Sequence, residues 1–365
     1  MSKPWRLLDT GIRPIAENMA LDQVILTARS QNQVPDTLRF LQFSPHCVTV
    51  GYHQDIDLEV EQEYCREHGI EINRRITGGG NLYLDAGQLG WEIFAMKGLP
   101  GIPQRLEELY GMICEGVVRG LFKLGVKAQF RPKNDIEVNG RKISGSGGTE
   151  AGKAFLYHGT LLIDFDVDTM LRCLKLPVQK LEDKQVRSFK QRVTCLKEVL
   201  GYVPAMSTVK NALAQGIAEE LGVELKPGLL TDYESRLLQQ KELPRFRSEA
   251  WIRGQRVGCQ DSRLSTADYK APGGLIRVSI LLDNTRDIIK SVFISGDFFA
   301  YPRRSIMDLE AALKNTSSRA TELDFTIRNF FDNHQVEIPG ITPEDFYHAL
   351  RRAILQASRD GIEAM

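Results

Sequence analysis

Cysteine is scarce in this 365-residue chain, and the six present are scattered. Cys47, Cys65, Cys114, Cys173, Cys195 and Cys259 form no C-x-x-C pair, and none stands at a metal-ligand spacing from a histidine. A disulfide framework and a zinc site are therefore not expected, and the thiols are read as reduced and mostly buried. No apolar run approaches the roughly 18 residues that a helical membrane span needs. The opening "MSKPWRLLDTGIRPIAENMALDQ" lacks the apolar core of a secretory signal, so the cytoplasm is the expected compartment and the sequon Asn315-Thr316-Ser317 carries no glycan. Net charge is absent too. Lysine and arginine number 47 against 47 acidic residues, which leaves no global field for nucleic acid or a membrane surface. There is no internal repeat and no H-E-x-x-H. What remains is a chain of ordinary composition with room for two domains.

Helical spacing over "AENMALDQVILTA" (Ala16–Ala28) opens the fold. "TLRFLQF" and "CVTVGY" read as strands broken by Ser44-Pro45. "EVEQEYCREHG" reads as a polar helix capped by Gly69. "IEINRRI" and "LGWEIFAM" follow as strands, then the long helical pattern "PQRLEELYGMICEGVVRGLFKLG". Asn139-Gly140, between "DIEV" and "RKIS", is a hairpin signal because a type I′ turn needs positive φ at both positions. "AFLYHGTLLIDF" is a strand and "DVDTMLRCLKL" a helix. Helices interleaved with hairpins favour a mixed sheet and an α+β fold. The segment Pro204 to Arg247 reads as helices, with a charged, proline-punctuated stretch that marks a boundary. We place a larger domain, expected to carry the chemistry, at 1–245 and a smaller α+β domain at 246–365, with two strands around "DNTRD" and three helices.

"GGTEAGKA" (Gly147–Ala154) imitates a phosphate-binding P-loop. Ala154 stands where Ser or Thr would bind magnesium, and a strand pattern follows where a helix should open. The motif is rejected on those two grounds.

Two other constellations carry chemistry. "RRITGGGNLYLD" puts Arg74 and Arg75 before Gly78, Gly79 and Gly80. Glycine amides form an anion-binding concavity, and guanidinium is a fork for phosphate or carboxylate. A surface turn with two solvated arginines is the plain alternative. "NDIEVNGRKISGSGG" presents Asp135, Lys142 and Ser144 around one hairpin, where Lys142 is positioned to neutralise an anion. Any single lysine is more often an exposed strand residue. "YHGTLL" adds His158, Gly159 and Thr160 on a strand apolar enough to be buried, where a histidine is more often a satisfied core residue.

In this order, the segments resemble the lipoate–protein ligase A family. "LRFLQFSPHCVTVGYHQD" looks like its opening strand pair, and "RRITGGGNLYLD" is similar to its R-R-x-x-G-G-G-x-V-x-H-D signature. "NDIEVNGRKISGSGG" is similar to its lysine hairpin, and "HGTLL" and "RSFKQRVTCL" to two further motifs. "GGLIRVSILLDNTRDIIKSVFISGDFF" looks like its accessory C-terminal domain. The resemblance implies a fold like the catalytic domains of biotin ligases and class II aminoacyl-tRNA synthetases. It implies a two-step reaction. Lipoate and ATP give lipoyl-AMP and pyrophosphate, and a lysine of a lipoyl-domain acceptor then takes the acyl group. That acceptor would be a 2-oxoacid dehydrogenase subunit, the glycine-cleavage H protein or another lipoate-binding protein. Nucleic acid and membrane are not expected partners. By position, Arg74, Arg75, Gly78, Gly79, Gly80, Asn81, Leu82, Tyr83, Asp85, Asp135, Ser144, His158, Gly159 and Thr160 would surround ATP or lipoyl-AMP. Lys142 would bridge the acyl carbonyl and the α-phosphate. Mg2+ would be held mainly by nucleotide phosphates. Two positions depart from the family pattern: Leu84 replaces the His of H-D, and Gly147 the Ala of S-G-S-A.

Two rival readings remain. An octanoyl or lipoyl transferase of the same fold would hold its acyl group on a cysteine just upstream of the hairpin. That segment, "GVKAQFRPKNDI", has none. A non-catalytic lipoyl-domain-binding protein is the other; retention of Lys142 speaks against it.

Overall fold

The structure is a computed structural model and describes residues 4–98, 103, 105–131, 134–175, 191–254, 264–283 and 285–363. In chain order the strands are β1 (Trp5–Arg13), β2 (Thr37–Phe43), β3 (Cys47–Val50), β4 (Glu71–Arg74), β5 (Leu82–Leu84), β6 (Gln88–Met96), β7 (Gln129–Arg131), β8 (Asp135–Val138), β9 (Arg141–Ala151), β10 (Ala154–Leu162), β11 (Leu225–Pro227), β12 (Ser265–Ala271), β13 (Gly274–Asp283) and β14 (Ile288–Gly296). The first five helices are α1 (Ile15–Ser30), α2 (Ile56–Glu59), α3 (Gln62–Glu67), α4 (Leu106–Lys123) and α5 (Val167–Cys173). Two compact units form. The first comprises Met1–Thr49, Glu59–Asn73 and Leu82–Ser248; the second comprises Val50–Leu58, Arg74–Asn81 and Glu249–Met365.

The first unit is built on an eight-stranded mixed sheet of order β11-β1-β2-β6-β10-β9-β8-β7. β1 runs parallel to β2 and β11, and the remaining pairs are antiparallel. Every residue of β2 is buried, and so is all but the last of β6. Such strands are covered on both faces, which explains why they read as mainly apolar and do not alternate with exposed residues. One cover is α1, whose Asp22 and Asn18 reach Arg39 of β2. The other is α4, whose Tyr110 stacks on Tyr157 of β10 with ring centroids 3.9 Å apart. A smaller sheet has the order β4-β3-β5.

The β8–β9 turn has φ of 51° at Asn139 and 75° at Gly140, the type I′ conformation that the sequence implies. The false P-loop lies along the β9–β10 hairpin, with strand on both sides of Gly152. No phosphate-binding helix begins there. β1, β11 and β12 are absent from the sequence reading. In β1 the alternation is broken by a register shift between Asp9 and Ile12. β12, "STADYKA", exposes small and polar residues that give no apolar period.

The second unit holds the antiparallel sheet β12-β13-β14 and the helices Ser305–Leu313, Ala320–Asn333 and Pro343–Glu363. β13 alternates buried and half-buried residues, so Ile276, Val278 and Ile280 point into a core shared with Ile294, Phe298, Phe346 and Leu350. No helix among the described residues is long and apolar enough to cross a membrane.

Candidate active site

β8, β9 and β10 carry the lysine hairpin and the histidine strand. Lys142 Nζ lies 2.7 Å from Asp135 Oδ1, as an ion pair whose side chains are 37% and 24% exposed. Asp135 faces Gly145 across β8–β9, and Thr160 faces Gly145 across β9–β10. A Cβ on Gly145 would stand 2.7 Å from both Cε and Nζ of Lys142. The lysine therefore lies across the glycine, and the missing side chain makes that path possible. One strand rung further, His158 faces Gly147 on β9 and Glu92 on β6. Asp135, Lys142, His158 and Thr160 thus share one face of the sheet, the face that α1 covers further along.

The Lys142 backbone is fixed from the side. Its N–H donates to Arg192 O at 2.8 Å, and its carbonyl accepts from Thr194 N at 2.9 Å. Part of the "RSFKQRVTCL" motif is therefore a rail beside Lys142; Arg187 to Lys190 of it lie outside the described residues. Arg141 clamps the same rail through Val193 O and Glu198.

Ser144 and Gly159 are placed on the opposite face. Ser144 lies two residues from Ser146, whose hydroxyl is 2.6 Å from Tyr157 Oη, and is only 1% exposed. Trp91 lies across Gly159, its ring 2.3 Å from the position a Cβ would take. Both residues are packing elements beneath α4. They support the strands that carry Lys142 and His158.

Tyr83 and Asp85 sit at the small sheet. Tyr83 Oη is 2.6 Å from His46 Nδ1, and its backbone pairs with Val48. Burial, followed by the charges of Asp85 and Asp166, pushes the phenol well above its usual range. Burial also raises the Asp85 carboxyl, which accepts from Gly87 N at 2.8 Å and shapes the turn into β6. Leu82 faces Thr49, and Leu84 faces Cys47 with 3% exposure. A polar side chain at position 84 would enter an apolar setting.

Arg74, Arg75, Gly78, Gly79, Gly80 and Asn81 fall in the second unit. Arg74 donates to five backbone carbonyls: Gly51, Tyr52 and Gln54 at 2.7–3.0 Å, with Ile252 and Arg253 at 3.2 and 3.1 Å. That engagement makes it a staple for its own unit. Arg75 donates to Thr77 Oγ1 and, through Nη2, to the carbonyls of Gly78 at 2.7 Å and Gly80 at 2.6 Å. It moulds the glycine loop from within. A Cβ on Gly78 would be 2.4 Å from Phe298 O, and one on Gly79, whose φ is +87°, 2.8 Å from Phe299 Cζ. Gly78 is thus required for close approach of backbone to backbone and Gly79 for its positive φ and the nearby ring, whereas a Cβ on Gly80 would meet nothing nearer than Asp297 Cβ at 3.8 Å.

One buried cluster escapes the sequence reading. Arg39, 0% exposed, donates to Asp22 at 2.8 Å, Glu92 at 2.9 Å, Asn18 at 2.7 Å and Thr10 at 3.0 Å. Burial raises both carboxyls, Asp22 further through the neighbouring charge of Glu92, although Arg39 opposes the shift. Two carboxylates and one guanidinium out of water favour retention of a proton between Asp22 and Glu92. The signal was a single arginine in "TLRFLQF" and a single glutamate in "LGWEIFAM", charges that an apolar strand buries only in company.

The described thiols are buried. Cys47, Cys65, Cys114, Cys173 and Cys195 are free and buried, and Cys259 lies outside the described residues. Cys114, on α4, is 3.3 Å from Tyr157 Oη, and burial pushes it up to about 11 against those hydrogen bonds. Cys65 is lowered by a hydrogen bond with Cys173 but is fully buried. Among the described residues, no three His, Cys, Asp or Glu side chains assemble a metal cage.

Comparison with known proteins gives the family and the fold. The lipoyl protein ligase A/B catalytic domain profile matches residues 14–218. Octanoyltransferase LipM of Kyrpidia tusciae is 32% identical over 269 residues, which are 68% of this chain and 97% of that protein. The bi-partite lipoate protein ligase of Thermoplasma acidophilum, described with its E2 lipoyl domain, superposes with a TM-score of 0.62 at 26% identity, over 69% of this chain and 97% of that one. Lipoate-protein ligase A bound with ATP gives a TM-score of 0.60 at 25% identity, over 70% and 99%. The chain is therefore an α+β enzyme of the lipoyl protein ligase A/B catalytic-domain family, the group that joins the lipoate ligases and octanoyltransferases.

Proposed function

We propose that the chain is an ATP-dependent lipoate–protein ligase. In the first step a carboxylate oxygen of lipoate forms a bond to the α-phosphorus of ATP, and pyrophosphate leaves. In the second, the amine of an acceptor lysine forms a bond to the acyl carbon, AMP leaves and a proton is released. Both steps place negative charge on oxygens bound to one phosphorus, so positioned positive charge is what accelerates them. Lys142 supplies it. Asp135 holds the ammonium across Gly145 until a substrate anion takes the place of the carboxylate. His158 and Thr160 line the same face for the acyl end. Mg2+ would travel with the nucleotide phosphates. The acceptor is a small lipoyl domain, supported by the Thermoplasma enzyme's description with one.

The observation that carries the ligase reading is the state of the thiols. The segment just upstream of the lysine hairpin, "GVKAQFRPKNDI", has no cysteine, and the described cysteines are buried, Cys114 beneath the sheet among them. A thioester mechanism needs an accessible, ionisable thiol.

A second reading is favoured by the LipM relatives, which are named octanoyltransferases. In it the acyl group arrives already activated as a thioester, and no ATP is consumed. Intact-mass measurement of a lipoyl domain separates the two. Addition of a lipoyl mass with lipoate, ATP and Mg2+ supports the ligase. Acylation from an octanoyl thioester without ATP, together with no ATP-dependent product, overturns it in favour of the transferase.

A further inference from the structure

Gly79 is gripped from two sides within the second unit. Arg75 Nη2 lies 3.1 Å from the position of a Gly79 Cβ, and Phe299 Cζ lies 2.8 Å from it. The Gly79 N–H donates to Phe298 O at 3.1 Å. Gly78 presses on the same backbone, 2.9 Å from Phe299 Cα by the same measure. The opposing surface is itself fixed. Phe298 is 0% exposed and stacks on His53 with centroids 5.3 Å apart, while Gly296 N–H donates to His53 O at 3.2 Å. Asp297 accepts from Leu275 N. The ends of the loop are tied as well, by Tyr52 N to Thr77 O at 2.8 Å and Arg75 N to Val50 O at 3.1 Å.

Phe298 is a core residue, but Phe299 is only half-buried, and its ring rests on Gly79. Three successive glycines have the widest backbone choice of any tripeptide and must lose that freedom to present one array of amides and carbonyls. Arg75 holds carbonyls on one side of the loop. A flat ring across Gly79 excludes the alternatives on the other.

We infer that Phe299 is a positioning residue for the arginine–glycine loop, holding Gly78–Gly80 in the single conformation that nucleotide-dependent acyl activation uses. The inference rests on the proposed ATP-dependent activity for its kinetic part, and on the loop geometry alone for the rest. Misplacement of about 1 Å in a positioning element costs up to roughly 100-fold in rate.

The test uses the full chain with Phe299→Ala, Phe299→Leu and Phe299→Tyr. Hydrogen exchange is followed in peptides spanning 75–81, and pyrophosphate release is measured against ATP and lipoate in turn. Phe299→Ala is expected to raise exchange in that segment while β13 and β14 stay protected. It is expected to lower kcat/KM for ATP by about 10- to 100-fold, with KM for lipoate within about twofold. Phe299→Leu should restore part of each, whereas Phe299→Tyr should restore neither fully, because its hydroxyl extends from the Cζ that already meets Gly79. A merely structural role would lower the thermal midpoint without splitting the two substrates. Unchanged exchange in 75–81, or faster exchange with unchanged kinetics, overturns the inference. If the wild-type chain releases no pyrophosphate, the ligase reading fails. The inference is then decided by exchange together with the rate of acyl transfer from an octanoyl thioester, which Phe299→Ala must also lower.

Discussion

Lys142 reaches Asp135 by lying across the α-carbon of Gly145: its Nζ is 2.7 Å from the carboxylate, and 2.7 Å from where a Cβ on that glycine would stand. A lysine and a glycine three residues apart are thereby one structural element. The glycine clears the path, the lysine occupies it, and the aspartate fixes its end.

Gly145→Ala puts a methyl group into that path. The colliding atoms are the far end of a flexible side chain, so the fold should survive with a stability change under about 1 kcal/mol. Lys142 must leave Asp135. Acyl transfer should fall by at least about tenfold, read as acylated lipoyl domain per minute. Full activity in a folded Gly145→Ala protein would separate the glycine from the lysine.

Lys142→Ala should leave stability within about 0.5 kcal/mol, since the side chain is partly exposed and its ion pair contributes little to folding. Loss of one aimed charge should slow both half-reactions by roughly 100- to 1,000-fold. Lys142→Arg should rescue poorly, because a planar fork does not replace a compact ammonium. Pyrophosphate release and transfer from preformed lipoyl-AMP measure the two steps. Near-normal rates in both would return Lys142 to the surface.

The Arg39 cluster predicts a pH dependence of stability. The Asp22 carboxyl is raised well above 3.8 by burial and by Glu92, so between the unfolded and folded values the native state binds more protons. Its contribution is complete below the unfolded value and declines as pH rises through the folded one. Asp22→Asn, always neutral, should flatten that decline in a series of thermal midpoints from about pH 4 to about pH 8. Arg39→Met, which strands two buried carboxyls, should cost about 3–5 kcal/mol. Parallel pH profiles for wild type and Asp22→Asn would remove the shared proton.

Replacing all six cysteines with serine or alanine should leave acyl transfer within about twofold in a folded protein, because no thiol is asked to form a bond. Recovery of a protein-bound thioester after mixing with an acyl donor would contradict this and favour the transferase reading.

Much was legible from sequence because local rules dominate there. Asn139-Gly140 requires its turn, "PQRLEELYGMICEGVVRGLFKLG" its helix, and "GGTEAGKA" betrays itself by Ala154. Long-range features were not legible. β1 hides behind its register shift, and the partnership of Arg39 with Asp22 and Glu92 joins three distant segments. The same holds for Ser144: a regular strand would put it on the face of Lys142, two residues away, but the register shift between Ile136 and Glu137 turns its side chain to the face beneath α4.

By itself the sequence determined the family, the helices and hairpins, and the residue types that can neutralise phosphate, because propensity, turn chemistry and motif spacing are properties of neighbours along the chain. Tertiary structure alone decided what those residues touch. It laid Lys142 over Gly145, committed Arg74 to five carbonyls, and set Gly78 and Gly79 against Phe298 and Phe299. The physical reason is that a guanidinium or a bare α-carbon has no fixed partner until the packed chain brings one within hydrogen-bond or van der Waals reach.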